Sequence, residues 1–121
     1  MESFMEIPQS QRILESEHFF VISDRYPVSQ GHCLIISKSR SRTFFDLSAP
    51  EKQELVTVID DVKRLLDKDD PADGYNIGMN CGPAAGQTIQ HFHCHVIPRY
   101  WGDMDNPRGG VRHCIPEKGL Y

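Results

Sequence analysis

The chain has 121 residues, 39% of them apolar and 25% charged, with a formal net charge of −4. A chain of this length fits one domain with a core that needs no disulfide or metal staple, since it buries roughly two thirds of its unfolded surface. The mild acidity argues against non-specific binding of long nucleic acid, which depends on Lys and Arg neutralising phosphates, and apolar runs of about five residues fall far short of the roughly twenty that span a bilayer.

Cys33, Cys81, Cys94 and Cys114 contain no C-x-x-C pair, and neither a secretory nor a lipidation signal is visible. The thiols are therefore expected to be reduced and the compartment cytoplasmic. Residues 1–11 carry Pro8 and read as an irregular lead-in. Residues 12–15 are a short candidate strand, and 18–24 are a stronger one, rich in aromatic and β-branched side chains. Residues 25–31 hold Pro27 and Gly31 and connect to a strand at 32–37, which gives a hairpin with a long loop.

Ser48 with Glu51 three positions later is a capping-box signature, and Pro50 is tolerated in a first turn. Leu55, Ile59, Val62, Leu65 and Leu66 then recur at helical spacing, which predicts a helix over about 49–67, ended by Asp69-Asp70-Pro71. Residues 74–81 form the next strand, with Tyr75, Ile77 and Met79 on one side. A loop of small residues, Gly82-Pro83-Ala84-Ala85-Gly86, leads into a strand at 88–99 closed by Pro98. The tail, 100–121, is rich in Gly and Pro. The order describes an α+β domain over 1–121, a mostly antiparallel five-stranded sheet with one main helix packed on it.

The last strand carries the chemistry. A strand has a side-chain period of two, so His91, His93 and His95 share one face while Phe92, Cys94 and Val96 take the other. Cys94 is then a small core residue. A zinc centre built on all three histidines is disfavoured. His91 and His95 stand roughly 13 Å apart along a strand, whereas zinc needs its nitrogens at about 2.0–2.1 Å from one point. A merely solvated polar face is disfavoured by three histidines in strict alternation beside a glycine-rich loop.

The reading that remains is covalent chemistry on a phosphate. A neutral imidazole is a nucleophile at neutral pH and can form a phosphoramidate. His93, with a histidine on either side, is the nucleophile that geometry nominates, and a neighbour must protonate the leaving group. Backbone N–H groups of residues 82–87 suit phosphate oxygens, and His32 can orient a triad histidine.

The segment His91-Phe92-His93-Cys94-His95-Val96-Ile97 resembles the signature of the histidine triad (HIT) family. Gly86-Gln87-Thr88 before it, Pro98-Arg99 after it, Asp24, Gly31-His32-x-Leu34 and Tyr75-Asn76-Ile77-Gly78-x-Asn80 match as well. The resemblance implies a nucleotide hydrolase or transferase acting at an α-phosphate through a nucleotidyl-histidine. His93 would attack, His95 would contact the phosphate and assist the leaving group, and His91 and His32 would support the site. Asp24 would bind ribose hydroxyls, Ile22 would line the base pocket, and Asn80, Gln87 and Thr88 would hold phosphate or the nucleophile. It also implies a homodimer with one continuous sheet and the helix in the interface.

The tail, with Gly102-Asp103 and Asn106-Pro107-Arg108-Gly109-Gly110-Val111-Arg112, resembles the dinucleoside-polyphosphate hydrolase branch. Arg99, Arg108, Arg112 and Lys118 are candidates for the extra phosphates; the competing reading is a solvated loop. Dinucleoside polyphosphates are the leading substrate class. A nucleoside phosphoramidate hydrolase and a nucleotide-binding sensor with incidental turnover are the alternatives, and transfer to an acceptor other than water is a further outcome. No cofactor is expected, and any Mg²⁺ would arrive bound to the substrate. Some relatives carry Cys-x-x-Cys near the start as a zinc half-site; Glu2-Ser3-Phe4-Met5 stands there instead, so that metal is expected to be absent. Trp101 is expected to pack in the tail, and His18 and His113 to lie on the surface.

Overall fold

Helix α1 spans Ala49–Asp67, the range its sequence signals mark. The Glu51 N–H donates to the Ser48 hydroxyl at 3.2 Å and the Ser48 N–H to the Glu51 carboxylate at 2.8 Å, so both halves of the capping box are closed. Leu55, Val58 and Val62 are buried, with Ile59 and Leu66 packed beside them. Val58 was not in the expected stripe, and Leu65, which was, is half-buried; the helical turn carries the apolar face from Val62 to Leu66 instead. The structure, a computed structural model, describes residues 4–121. Glu2 and Ser3, half of the stretch discussed for zinc, lie outside the described residues.

Five strands form one antiparallel sheet: β1 Leu14–Glu15, β2 Phe19–Ser23, β3 Cys33–Ser37, β4 Gly74–Gly78 and β5 His93–Arg99. Their order is β1-β2-β3-β5-β4. The histidine strand is thus an inner strand, held on both sides. Leu34 pairs with His95 and Ile36 with His93.

Alternation splits the sheet into two faces. Phe19, Val21, Cys33, Ile35, Cys94 and Val96 meet Leu55, Val58 and Val62 of α1. Phe20, Ile22, Leu34 and Ile36 point to the opposite face, where Phe4, Ile7 and Ile89 cover them. Covering on both faces explains why β3 is buried at every position.

The strands are shorter than the sequence pattern suggests. β4 ends at Gly78, and β5 starts at His93 rather than at Thr88. β3 ends at Ser37, whose N–H donates to the Phe92 carbonyl at 3.4 Å, so residues 88–91 have no strand to pair with. Pro98 does not close β5. It lies within the strand opposite Tyr75, beyond Cys33 at the start of β3, where its missing N–H removes no ladder bond to that neighbour. The lead-in holds two 3₁₀ turns, Phe4–Glu6 and Gln9–Gln11.

Candidate active site

The cavity on the face away from α1 has a volume of about 610 Å³. Its lining includes Asp24 and His32 from the β2–β3 hairpin, Asn80 after β4, Thr88 after the glycine loop, and His93 and His95 from β5. Ile22, Leu34, Ile7, Ile89 and Phe4 form an apolar part of the wall. The structure therefore brings together six of the polar residues expected at the site, with Ile22.

His91 and Gln87 stand elsewhere. His91 precedes the ladder, is buried, and its Nε2–H donates to the Ser37 carbonyl at 2.7 Å. Phe4 packs edge-on against both His91 and His93, with ring centroids 5.6 and 5.2 Å away. The three histidines are thus not one evenly exposed row. The Gln87 amide is committed to backbone groups: it accepts the Gly82 N–H at 2.8 Å and donates to the carbonyls of Arg42, on a distant segment, and Ile89.

The loop is bounded by Gly82 and Gly86, at φ +95° and +94°, where a side chain would be strained. Contrary to the sequence expectation, its N–H groups form no ready cradle. Those of Ala85 and Gln87 donate to the Gly82 carbonyl and that of Gly86 to the Pro83 carbonyl.

The hydrogen bonds around the remaining histidines fix where their protons sit. A carbonyl only accepts, so His93 donates Nδ1–H to the His91 carbonyl at 2.9 Å, and the neutral ring keeps its lone pair on Nε2. The Val28 N–H donates to His32 Nδ1 at 3.1 Å. Neutral His32 must then carry its proton on Nε2, which lies 2.9 Å from His95 Nδ1. His95 accepts there and carries its own proton on Nε2. Asp24 Oδ2 stands 3.3 Å from His32 Nε2 and 3.9 Å from His95 Nδ1, and Asp24 Oδ1 accepts the Tyr26 N–H at 2.8 Å.

Burial lowers the pKa of His32, against the opposing charge of Asp24. Burial also lowers that of His95, helped by His93 and His32. In both rings burial favours the neutral form. Cys94 faces the core, where burial pushes its thiol up to about 12.

The basic residues of the tail do not line the cavity. Arg99 makes a bidentate pair with Asp103, 2.7 Å on each arm, and donates to Asn76. Arg108 and Arg112 stack on Tyr121, and Arg112 donates to the carbonyls of Lys118 and Gly119. Trp101 is exposed rather than packed. His18 is clamped to Glu54 at 2.8 Å, and His113 is exposed, bonded to the Arg108 carbonyl.

The cavity walls Phe4, Ile7, Tyr26 and Ile89 carried no signal in sequence, because no spacing pattern ties them to the histidines and an isolated apolar residue reads as ordinary core or surface. The Val28 amide is a backbone group and has no sequence signature at all.

An antiparallel sheet presenting paired histidines of fixed tautomer to a cavity describes a histidine-centred site of the triad class. The HIT domain model matches residues 6–102, and the chain belongs to this family. It is 29% identical over 110 residues to an AP-4-A phosphorylase of Mycobacterium tuberculosis, covering 86% of this chain and 56% of the relative. It is 31% identical over 91 residues to a bis(5'-adenosyl)-triphosphatase of Saccharomyces cerevisiae, covering 74% and 44%. The chain thus spans about half the length of these two curated relatives. The crystal structure of a zinc-bound histidine triad family protein from Mycobacterium smegmatis is 38% identical, with a TM-score of 0.69 over 76% of this chain and 67% of that one. Among the described residues no helix is long and apolar enough to cross a membrane.

Proposed function

We propose that this domain cleaves dinucleoside polyphosphates at an α-phosphorus through a nucleotide carried on His93. The observation that carries the reading is the hydrogen bond from His93 Nδ1–H to the His91 carbonyl. It leaves Nε2 as an unprotonated nucleophile on a ring that lines the cavity. Attack forms the Nε2–P bond and breaks the bond from phosphorus to the bridging oxygen.

His95 Nε2–H donates to the departing oxygen, and the Val28–His32 chain holds it in that tautomer. Water then attacks the nucleotidyl-histidine, the Nε2–P bond breaks, water's proton passes to solvent, and Nε2 of His93 is restored. Asp24 takes the ribose hydroxyls, Ile22 the base, and Asn80 and Thr88 the phosphate oxygens. His91 supports His93 through its carbonyl, and Gln87 shapes the loop. None of these steps requires a cofactor. Two displacements at phosphorus each need a lower barrier than one uncatalysed displacement.

Phosphate in place of water as the second nucleophile is the reading favoured by the similarity to the AP-4-A phosphorylase. The test is to incubate the protein with diadenosine tetraphosphate and with an adenosine phosphoramidate, with and without inorganic phosphate. AMP release supports hydrolysis, and ADP appearing only with phosphate supports phosphorolysis. Tight nucleotide binding with no product would sink the enzymatic reading and leave a sensor.

The same reading includes a homodimer joined at β4, an edge strand whose Ile77 is exposed. Light scattering should give twice the chain mass, and Ile77→Asp should shift it to one. Four free cysteines, two of them buried, fit a reducing cytoplasm.

A further inference from the structure

We propose that Asp24, His32 and His95 also form a zinc-binding site that switches the enzyme off, an inference that rests on the proposed chemistry for its consequence but not for its geometry. The three ligand atoms are His32 Nε2, His95 Nδ1 and Asp24 Oδ2. Their separations are 2.9 Å between the nitrogens, and 3.3 and 3.9 Å from each nitrogen to the carboxylate oxygen. A point equidistant from all three lies about 2.0 Å from each, which is the length of a zinc–nitrogen or zinc–oxygen bond. That point lies in the plane of the three atoms, so the rings must rotate and lift the ion toward the cavity before water can complete a tetrahedron.

Two imidazoles and one carboxylate are a donor set that zinc uses, whereas Mg²⁺ demands an octahedral oxygen shell. The residues come from β2's end, β3's start and β5, so no spacing in the chain announces them. The barrier to a three-histidine centre along one strand does not apply to this set.

Binding has a defined structural consequence. His32 Nε2 must give up its proton to hold zinc, and a neutral ring then carries it on Nδ1. The Val28 N–H now faces a donor instead of an acceptor, so the exposed Val28 segment of the β2–β3 loop must turn away. The two rings, tilted 43° to one another, rotate so that both lone pairs meet the ion. Zinc thereby takes the ribose-binding carboxylate and the nitrogen that fixes His95, and catalysis stops while His93 stays free. Removing the ion restores activity.

One other cluster among the described residues has metal-binding spacing, Glu17, His18 and Glu54. There the Glu54 carboxylate already accepts from the Ser16 hydroxyl, the His18 N–H and the His18 ring. It serves as the control.

The experiment is a Co²⁺ titration followed by visible absorption, with Zn²⁺ affinity from calorimetry, on the full chain and three variants. One zinc per chain is expected. His32→Gln and Asp24→Asn should each weaken it at least about 100-fold, since loss of a direct ligand should exceed the cost of losing an outer partner. His18→Gln should leave it unchanged. The Val28 amide resonance should shift on zinc binding, and circular dichroism shows whether each variant is folded; either site variant alone suffices if the other is not.

Zinc affinity that follows His18, or that survives in both site variants, overturns the site. Turnover that continues with zinc saturating the site overturns the inhibition. A chain that binds zinc through these residues yet hydrolyses no nucleotide keeps the site and loses the proposed function instead.

Discussion

On one side of β5, Cys94 and Val96 are sealed beneath α1 with no solvent access; on the other, His93 and His95 line a cavity together with residues from three other segments. The two sets alternate along seven residues of a single inner strand. The core side needs only apolar volume, and many side chains would serve. The cavity side needs particular nitrogens in particular protonation states, and backbone groups outside the strand supply them. The same rigid strand therefore carries stability on one face and chemistry on the other, and substitutions should separate the two.

The largest effect falls on the chemical face. His93→Ala should lower turnover by at least about 10⁴-fold, the scale set by loss of a covalent nucleophile, with the urea midpoint close to wild type. A variant that kept even a tenth of the activity would break the division. Next comes the core face. Phe19, fully buried with its ring edge-on to Phe92, should cost about 3–5 kcal/mol on Phe19→Ala. Urea unfolding measures that loss, while KM for the still-folded fraction should hold.

A smaller loss tests the tautomer chain. His32→Gln should reduce kcat by roughly 10–100-fold, the usual cost of an outer hydrogen-bond partner, with KM nearly constant. A change in KM alone would mean that His32 shapes the pocket rather than positions His95. Ser48→Ala, at the helix cap, should cost about 1 kcal/mol and leave kcat untouched.

The smallest expected effect is a pH dependence that opposes two histidine environments. His32 and His95 have pKa values lowered by burial. Unfolding lets them charge, so their contribution is complete above about pH 6.5 and declines as the pH falls below it. His18 has its pKa raised, chiefly by its hydrogen bond to Glu54, so its contribution is present below about pH 6.5 and lost as the pH rises through its higher folded value. His18→Gln should therefore remove a loss of stability that the wild type shows as the pH rises above about 6.5, and leave the slope below that pH unchanged. Parallel curves for the two proteins would show that the surface clamp has no such role.

Much of the fold was legible because its signals are local. The Ser48–Glu51 cap and the Asp69-Asp70-Pro71 stop bracket α1, and β-branched runs mark β2 and β3. Strand ends were not, because pairing decides them: β5 could not begin at Thr88 without a partner beyond Ser37. Of the site, the His93 and His95 face followed from a period of two. His91 departed from that period, since the ladder starts after it and its ring turns to the Ser37 carbonyl. The glycine loop was read as a phosphate cradle and Gln87 as a holder of phosphate or the nucleophile, but a backbone amide's direction depends on turn geometry, and here the N–H groups of Gly82, Ala85, Gly86 and Gln87 bond within the loop. The Arg99–Asp103 pair and the Tyr121 stack likewise arise from chain reversal in the tail, which residue type alone does not specify.

The central claim is that nucleotide passes through a covalent bond to His93 Nε2, and the stereochemical course at phosphorus tests it most directly. A substrate made chiral at the α-phosphorus by sulfur and heavy-oxygen labelling is turned over, and the configuration of the nucleotide product is determined by phosphorus NMR. Two in-line displacements, first by His93 and then by water or phosphate, predict net retention. Net inversion would mean a single direct displacement and would contradict the account.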